Sequence, residues 1–340
     1  MEEVVYRRDN KRNRPFSQQA EILNRSCSIP LQRIVTDFGA DIPFGQVPEK
    51  LKEHYGIEVA TSVIARITER HARVFYQQPE RVVAKEEAGQ SRPVIAEIDG
   101  SMVPVVISNS EQKDKRKGKT LQWNEVKLCL AHQQGSQRIC FGGNFTGGVE
   151  QAGRALHQCA KAAGFNQENP LHAVGDGAVW ITEQIEQQFG ADGRYLVDFY
   201  HVCEYLAEAA TRCAADSKAW LEEQKSLLKS NHHKRVLINL LPHIEPPQTE
   251  DKNAPVRRAH RYLSKRAAQL DYQSALEKGL PIGSGEIESA HRYIIQQRLK
   301  RAGSWWTPAN IDGMLAMRLA RANKRWNDYW TEVMKNSMAA

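Results

Sequence analysis

The chain has 340 residues, 41% hydrophobic and 26% charged, the make-up of a folded globular protein with room for more than one domain. Its formal charge is +7 and its pI is near 9.0, a balance compatible with a polyanionic partner. No apolar run approaches the roughly 18–20 residues of a membrane helix, and the first residues hold no apolar signal core, so no membrane contact and a cytoplasmic location are expected.

Residues 1–42 read as a basic irregular arm, with Arg7-Arg8 and Lys11-Arg12-Asn13-Arg14. From 43 to 77 the pattern turns helical. Val47, Leu51 and Tyr55 fall on one face, Gly56 ends that helix, and Val63, Ile64, Ile67 and His71 mark a second one. Helix, glycine turn, helix is the outline of a helix-turn-helix module, whose second helix enters the major groove of DNA. Thr61, Ser62, Arg66 and Arg70 would then face outward. The same outline also fits an ordinary helical pair.

Residues 78–93 read as a linker. Strand periodicity follows over 94–99, 102–107, 121–132 and 137–145, with a basic tip over 108–120 that carries Lys113, Lys115, Arg116, Lys117 and Lys119. A helix over 149–163, a strand over 171–175, a helix over 178–189 and a strand over 195–198 come next. Strands in sequence followed by alternating helix and strand predict an α/β fold, a mixed sheet with helices on its faces. The segment 206–282 is dominated by helix formers, broken at His243-Ile244-Glu245-Pro246-Pro247, and 283–335 is helical again, broken at Gly303 and Pro308. From Arg257 to Lys335 there are fifteen Lys or Arg against seven Asp or Glu, an excess of eight. Such a cluster suits a phosphate-contacting face, though solvated helices also carry charge on one side. The six cysteines form no Cys-x-x-Cys pair and are expected to be free and mostly buried.

Three acidic segments stand out. Val94-Ile95-Ala96-Glu97-Ile98-Asp99-Gly100 and Leu171-His172-Ala173-Val174-Gly175-Asp176-Gly177 are apolar strands that stop at Asp-Gly, where glycine permits a sharp turn. Gly283-Ser284-Gly285-Glu286-Ile287-Glu288 opens a helix with two acids in its first turn. That placement also suits the helix dipole, and spacing does not choose between the two glutamates. Three carboxylates brought together would hold Mg²⁺ or Mn²⁺ through oxygen ligands, and metals held that way promote in-line attack on a phosphodiester. Asp198 and His201 lie at a strand-to-helix junction. They are spaced either for a hydrogen bond that orients the imidazole or for a helix cap beside a half-buried histidine.

The ordered set Asp99-Gly100, Gly175-Asp176-Gly177-Ala178-x-Trp180-Ile181, Asp198-Phe199-Tyr200-His201 and Gly283-Ser284-Gly285-x-Ile287-Glu288-Ser289 resembles bacterial insertion-sequence transposases of the Kra group. More distantly it is similar to Mutator-like DDE transposases. The run Gln297-Arg298-Leu299-Lys300-Arg301-Ala302-Gly303-Ser304-Trp305-Trp306 looks like that group's continuation, and the likeness covers about residues 94–330.

The resemblance implies a ribonuclease-H-like core over 94–205, a helical insertion over 206–282 and a C-terminal catalytic helix with basic helices over 283–335. It puts the acids on Asp99, Asp176 and Glu288 rather than Glu286. It reads Asp198 and His201 as the Mutator-like Cys/Asp-x-x-His element, with His201 near the scissile phosphate. The activity expected is Mg²⁺-dependent cleavage at transposon ends and strand transfer, on double-stranded DNA and as a homo-oligomer. Arg66, Arg70, Lys115, Arg116, Lys117, Lys119, Arg298, Lys300 and Arg301 are the expected DNA contacts, with Trp305 and Trp306 either in the core or stacked on an unpaired base. The alternatives are a metal nuclease of the same fold that joins nothing, and an inactive DNA-binding remnant.

Overall fold

A computed structural model describes residues 4–8, 11–19, 22–23, 27–78, 92–108 and 118–338. In chain order its first elements are β1 (Tyr6–Arg8), β2 (Lys11–Asn13), α1 (Pro15–Gln19), β3 (Ile22–Leu23), β4 (Cys27–Ser28), α2 (Ile29–Asp41), α3 (Val47–Tyr55) and α4 (Thr61–Gln77). Then come β5 (Val94–Ser108), β6 (Lys119–Gln133), β7 (Cys140–Asn144), α5 (Gly148–Ala162), β8 (Leu171–Gly175), α6 (Val179–Phe189) and β9 (Gly193–Val197). The rest is helical: α7 (Phe199–Cys213), α8 (Ser217–Lys229), α9 (His233–Leu240), α10 (Pro255–Lys265), α11 (Tyr272–Glu277), α12 (Gly285–Ala290), α13 (Gln297–Leu299), α14 (Pro308–Ala322) and α15 (Trp326–Met338), with a π-helical turn over His291–Gln296. None of the described helices is long and apolar enough to cross a membrane.

The described residues fall into two compact units, one drawn from 1–80, 102–125 and 291–340, the other from 81–101 and 126–290. The second unit holds most of a five-stranded sheet of order β7-β6-β5-β8-β9. β6 and β7 are antiparallel, whereas β8 runs parallel to both β5 and β9. Every residue of β8 is buried, as expected for a strand with a neighbour on each side and layers above and below. Val94, Ala96, Ile98, Cys129, Ala131, Leu171 and Ala173 point to one face. There Ala152, Ala155, Leu156 and Cys159 of α5 and Ile181, Ile185 and Phe189 of α6 close the core. A second core, from Leu196 and Val197 through α7–α11, accounts for the long helical stretch.

Asp-Gly was expected to end the first strand. Instead 94–99 and 102–107 merge into the single fifteen-residue β5, because Gly100 stays out of the positive-φ region and the chain does not turn. The linker at 79–91 and the basic tip at 109–117 lie outside the described residues.

In the first unit, Cys27, Val35, Val47, Leu51, Ile64 and Ile67 bind α2, α3 and α4 around one core. Gly56 ends α3 in the left-handed region at φ +65°, as its position in the sequence predicts. The irregular arm expected over 1–42 is corrected here. Ile29–Asp41 is a helix that starts where Ser28 Oγ accepts the Leu31 N–H and Pro30 occupies the first turn. Its buried face is made by Gln32, Thr36, Gly39 and Ala40 as much as by Ile29 and Val35, so it shows no clear apolar stripe.

Candidate functional site

β5 and β8 pair in parallel register from Val94↔Leu171 to Glu97↔Val174. Continued two residues further, that register would set Asp99 level with Asp176. β8 has ended by then while β5 continues, so the two acids stand at a step in the sheet. Both are half-buried.

The turn at Asp176 is built tightly. Asp176 Oδ1 accepts the Ala178 N–H at 2.8 Å, which starts α6. Gly177 is left-handed at φ +80°, and a Cβ there would lie 2.4 Å from Arg266 Nε and 2.7 Å from Tyr262 Oη. The Gly177 N–H donates to Tyr195 Oη at 2.9 Å, Tyr262 Oη donates to the Asp176 carbonyl at 2.5 Å, and Arg266 Nε donates to the Gly177 carbonyl at 2.8 Å. Burial pushes both tyrosine pKa values up, which keeps the hydroxyls neutral.

The segment 281–288 is fixed across neighbouring strands by polar side chains. His172 Nε2 donates to the Pro281 carbonyl at 2.8 Å, and the Phe199 N–H donates to the Ile282 carbonyl at 2.8 Å. Asp198, 4% exposed, has both carboxylate oxygens engaged. Oδ1 accepts the N–H groups of Tyr200 and His201 at 2.6 and 3.1 Å, and Oδ2 accepts Ser284 N–H and Oγ–H at 2.6 and 2.5 Å. Glu97, 1% exposed, accepts the Ile287 N–H at 2.7 Å. Burial pushes its pKa up to about 8, and the nearby Glu286 charge acts in the same direction.

Glu286 lies 2.9 Å from His132 Nε2. Burial alone would lower the His132 pKa, but the Glu286 carboxylate and the hydrogen bond to the Gln133 carbonyl outweigh it and raise it, while His132 holds Glu286 below the usual carboxylate range. Glu288 is exposed on the first turn of α12 and has no side-chain partner among the described residues. The structure thus engages one of the two glutamates that spacing left open. Among the described residues no group of three or more His, Cys, Asp and Glu is arranged to hold a metal ion.

The Asp198–His201 pair departs from the imidazole-orienting expectation. Asp198 caps α7 through the His201 backbone, while the half-buried His201 ring turns to Glu204 Oε2 at 3.2 Å. A capping Asp already makes full use of its short side chain on backbone N–H groups.

The expected DNA contacts separate by burial. Arg66, Lys119, Lys300 and Arg301 are exposed, and Arg70 is half-buried with Nη2 on Gln32 Oε1. Lys115, Arg116 and Lys117 lie outside the described residues. Arg298 is corrected. At 2% exposure its Nε donates to the Gly39 carbonyl at 3.0 Å, and its guanidinium lies 4.6 Å from the Trp306 ring, so it is not available to a phosphate in this arrangement. Burial, with Arg318 and Arg301 nearby, lowers its pKa to about 10. The two tryptophans also part. Trp306 is buried, with Nε1 donating to the Leu299 carbonyl at 3.0 Å, whereas Trp305 is 64% exposed.

Sequence reasoning missed Glu97, His132, Tyr262, Arg266 and Ser284. Glu97 had a signal, since strand alternation puts residues 97 and 99 on one face. Tyr262 and Arg266 had none, since they reach the Asp176 turn across more than eighty residues of chain.

These features define a mixed α/β protein with acidic residues at or just past the ends of its parallel strands. The chain belongs to the uncharacterised protein family UPF0236, whose family model matches residues 164–333, half of its length. The match takes in Asp176, Asp198, His201, Arg266 and Glu288 and leaves out Asp99. No curated protein matches the chain.

Proposed function

We propose that this protein is a DDE-type DNA transposase with a ribonuclease-H-like core, cutting at transposon ends and joining the resulting 3′-OH to target DNA. The observation that carries the reading is the parallel register of β5 and β8, which, continued two residues past Glu97↔Val174, would set Asp99 level with Asp176 where β8 ends. Asp198 and Glu97 hold the segment that bears Glu288 against the same sheet. A first strand parallel to the fourth, and the fourth to the fifth, supports the fold that the resemblance implies.

The donor chemistry suits a hard divalent cation. Two carboxylates brought close together repel one another unless positive charge lies between them, and oxygen ligands are what Mg²⁺ or Mn²⁺ takes. Asp99, Asp176 and Glu288 would supply those ligands, and the bound cation would polarise the phosphodiester. The protein's own part is to hold strand and backbone in place. The Asp176 turn is locked from three sides, and exposed Lys119, Lys300, Arg301 and Arg66 offer charge to DNA phosphates.

The test is cleavage and joining of DNA carrying the sequences that flank the gene, with Mg²⁺. Wild type should give both products. Asp99→Asn and Asp176→Asn should give neither while binding the DNA as tightly as wild type. Near-wild-type cleavage by either variant refutes the assignment, and cleavage with no joined product identifies a nuclease.

A further inference from the structure

We propose that Arg266 is a phosphate-binding residue of this site, donating to a backbone phosphate oxygen of the DNA strand that lies beside Asp176. The inference rests on the functional reading above and adds to it a residue that no motif picks out.

The arginines of α10 differ in how their charge is met. Arg257 pairs with Asp251 at 3.5 Å, Arg258 with Glu208 at 2.5 Å and Arg261 with Asp251 at 2.6 Å. Arg266, at the C-terminal cap of the same helix, is half-buried and has no carboxylate within ion-pair distance among the described residues. Its Nε donates to the Gly177 carbonyl and its Nη1 to the Tyr262 carbonyl at 3.2 Å, while Nη2 has no acceptor among the described residues. A guanidinium stays charged in a protein, so a half-buried one without a counter-ion is an open anion site.

The group is also held in place in advance. Its guanidinium carbon lies 3.9 Å from the centre of the Tyr262 ring, and the Tyr205 ring stacks on that same ring at 4.3 Å and 17°. Two groups this close to one ring centre occupy its opposite faces. The hydroxyl of the sandwiched Tyr262 is bonded to the Asp176 carbonyl. Arg266 and Asp176 are therefore fixed to one rigid element, one presenting donors and the other a carboxylate. A phosphodiester needs that pairing, a donor for its non-bridging oxygen next to the acidic centre.

The experiment is equilibrium binding of a labelled DNA duplex in EDTA over a salt series, which needs no cleavage. Arg266→Gln should bind about tenfold more weakly, the scale of one lost charged hydrogen bond. Its plot of log affinity against log salt should be shallower by about one phosphate contact. Arg266→Lys keeps the charge but not the Gly177 bond, and should keep the wild-type slope. Arg258→Gln, whose charge Glu208 already meets, should change neither quantity. Wild-type slope and affinity in Arg266→Gln would overturn the proposal. Equal loss of slope in the Gln and Lys variants would overturn it too, since that is the mark of a purely structural arginine. If wild type itself shows no salt-sensitive duplex binding, the functional reading falls and this proposal with it.

Discussion

Asp198 offers the sharpest test of how the site is assembled. Its carboxylate ties the start of α7 to Ser284 through four hydrogen bonds and is almost wholly buried. Removing the helix cap costs about 0.5–2 kcal/mol. Ser284 is itself 8% exposed, so in Asp198→Ala its N–H and hydroxyl lose their acceptor away from water, at about 1–3 kcal/mol for each donor left unpaired. The hydroxyl can rotate to a new partner, so the sum for Asp198→Ala comes to about 3–5 kcal/mol. Asp198→Asn is the discriminating variant. Its amide oxygen can still cap α7, but its NH₂ then faces the Ser284 N–H, donor against donor. It should fall between Ser284→Ala, at about 1 kcal/mol, and the alanine variant. Urea unfolding followed by circular dichroism gives the order, and hydrogen exchange at residues 284–290 shows whether that segment is what loosens. A loss under about 1 kcal/mol in Asp198→Ala, or an Asn variant as stable as wild type, would refute the account.

Three more predictions concern single side chains. His71 is buried with Nδ1 on Tyr329 Oη at 2.6 Å and Nε2 on Gln32 Oε1 at 3.1 Å, and burial, with the Arg70 charge adding, lowers its pKa to about 4. The unfolded chain takes up the proton that the folded one refuses, so stability falls as pH drops from about 6.5 to 4, by at most about 3 kcal/mol; this part of the slope should vanish in His71→Gln, and identical slopes would refute it. Trp306→Ala should cost about 3–5 kcal/mol of stability, whereas Trp305→Ala should melt like wild type and weaken binding to pre-opened DNA ends about tenfold; early unfolding of both with no loss of end affinity would end the stacking idea. Glu288→Gln should abolish cleavage, and Glu286→Gln, which only weakens the contact with His132, should leave part of it; a greater loss in Glu286→Gln would reverse the choice.

Much of the sheet was legible because short apolar runs bounded by turn residues survive in the sequence: 171–175 is β8 residue for residue, and the helical stretch after Tyr200 follows from the loss of strand signals. What failed has local causes. Asp-Gly marks a turn at Asp176, where Gly177 takes a positive φ under Arg266 and Tyr262, but not at Asp99, where Gly100 stays extended. Residue type gives no hint of the difference, which is set by tertiary contact. Arg298 looked like one of a row of basic contacts. Its burial depends on Gly39 and Phe44, which lie more than 250 positions away in the chain, and no local pattern encodes that.

The acids near the step between β5 and β8 divide by burial in a way their sequence does not show. Asp198 and Glu97 are buried and accept backbone N–H groups, whereas Asp99 and Asp176 are half-buried and Glu288 is exposed. The first two cannot turn to a ligand without orphaning buried N–H groups, whereas the N–H groups that Asp99 and Asp176 accept belong to half-buried Gly100 and Ala178; on the reading proposed above the first two anchor and Asp99, Asp176 and Glu288 are the ligands. Glu97 makes this testable. With its folded pKa pushed by burial to about 8 against an ordinary 4.5, it holds its proton across much of the neutral range, and stability from this residue falls as pH rises from about 4.5 and is fully lost by about 8. A neutral Gln keeps the carbonyl that accepts the Ile287 N–H, so Glu97→Gln should change stability by less than about 1 kcal/mol near pH 6 and gain on wild type as pH rises. Glu97→Ala, which leaves a cavity and an unpaired N–H, should lose about 2–4 kcal/mol at any pH. Thermal melts of the three proteins from pH 6 to 9 decide it. A Gln variant that is much less stable than wild type at every pH would mean that Glu97 works as a charged group, and the division of these acids into anchors and ligands would fail with it.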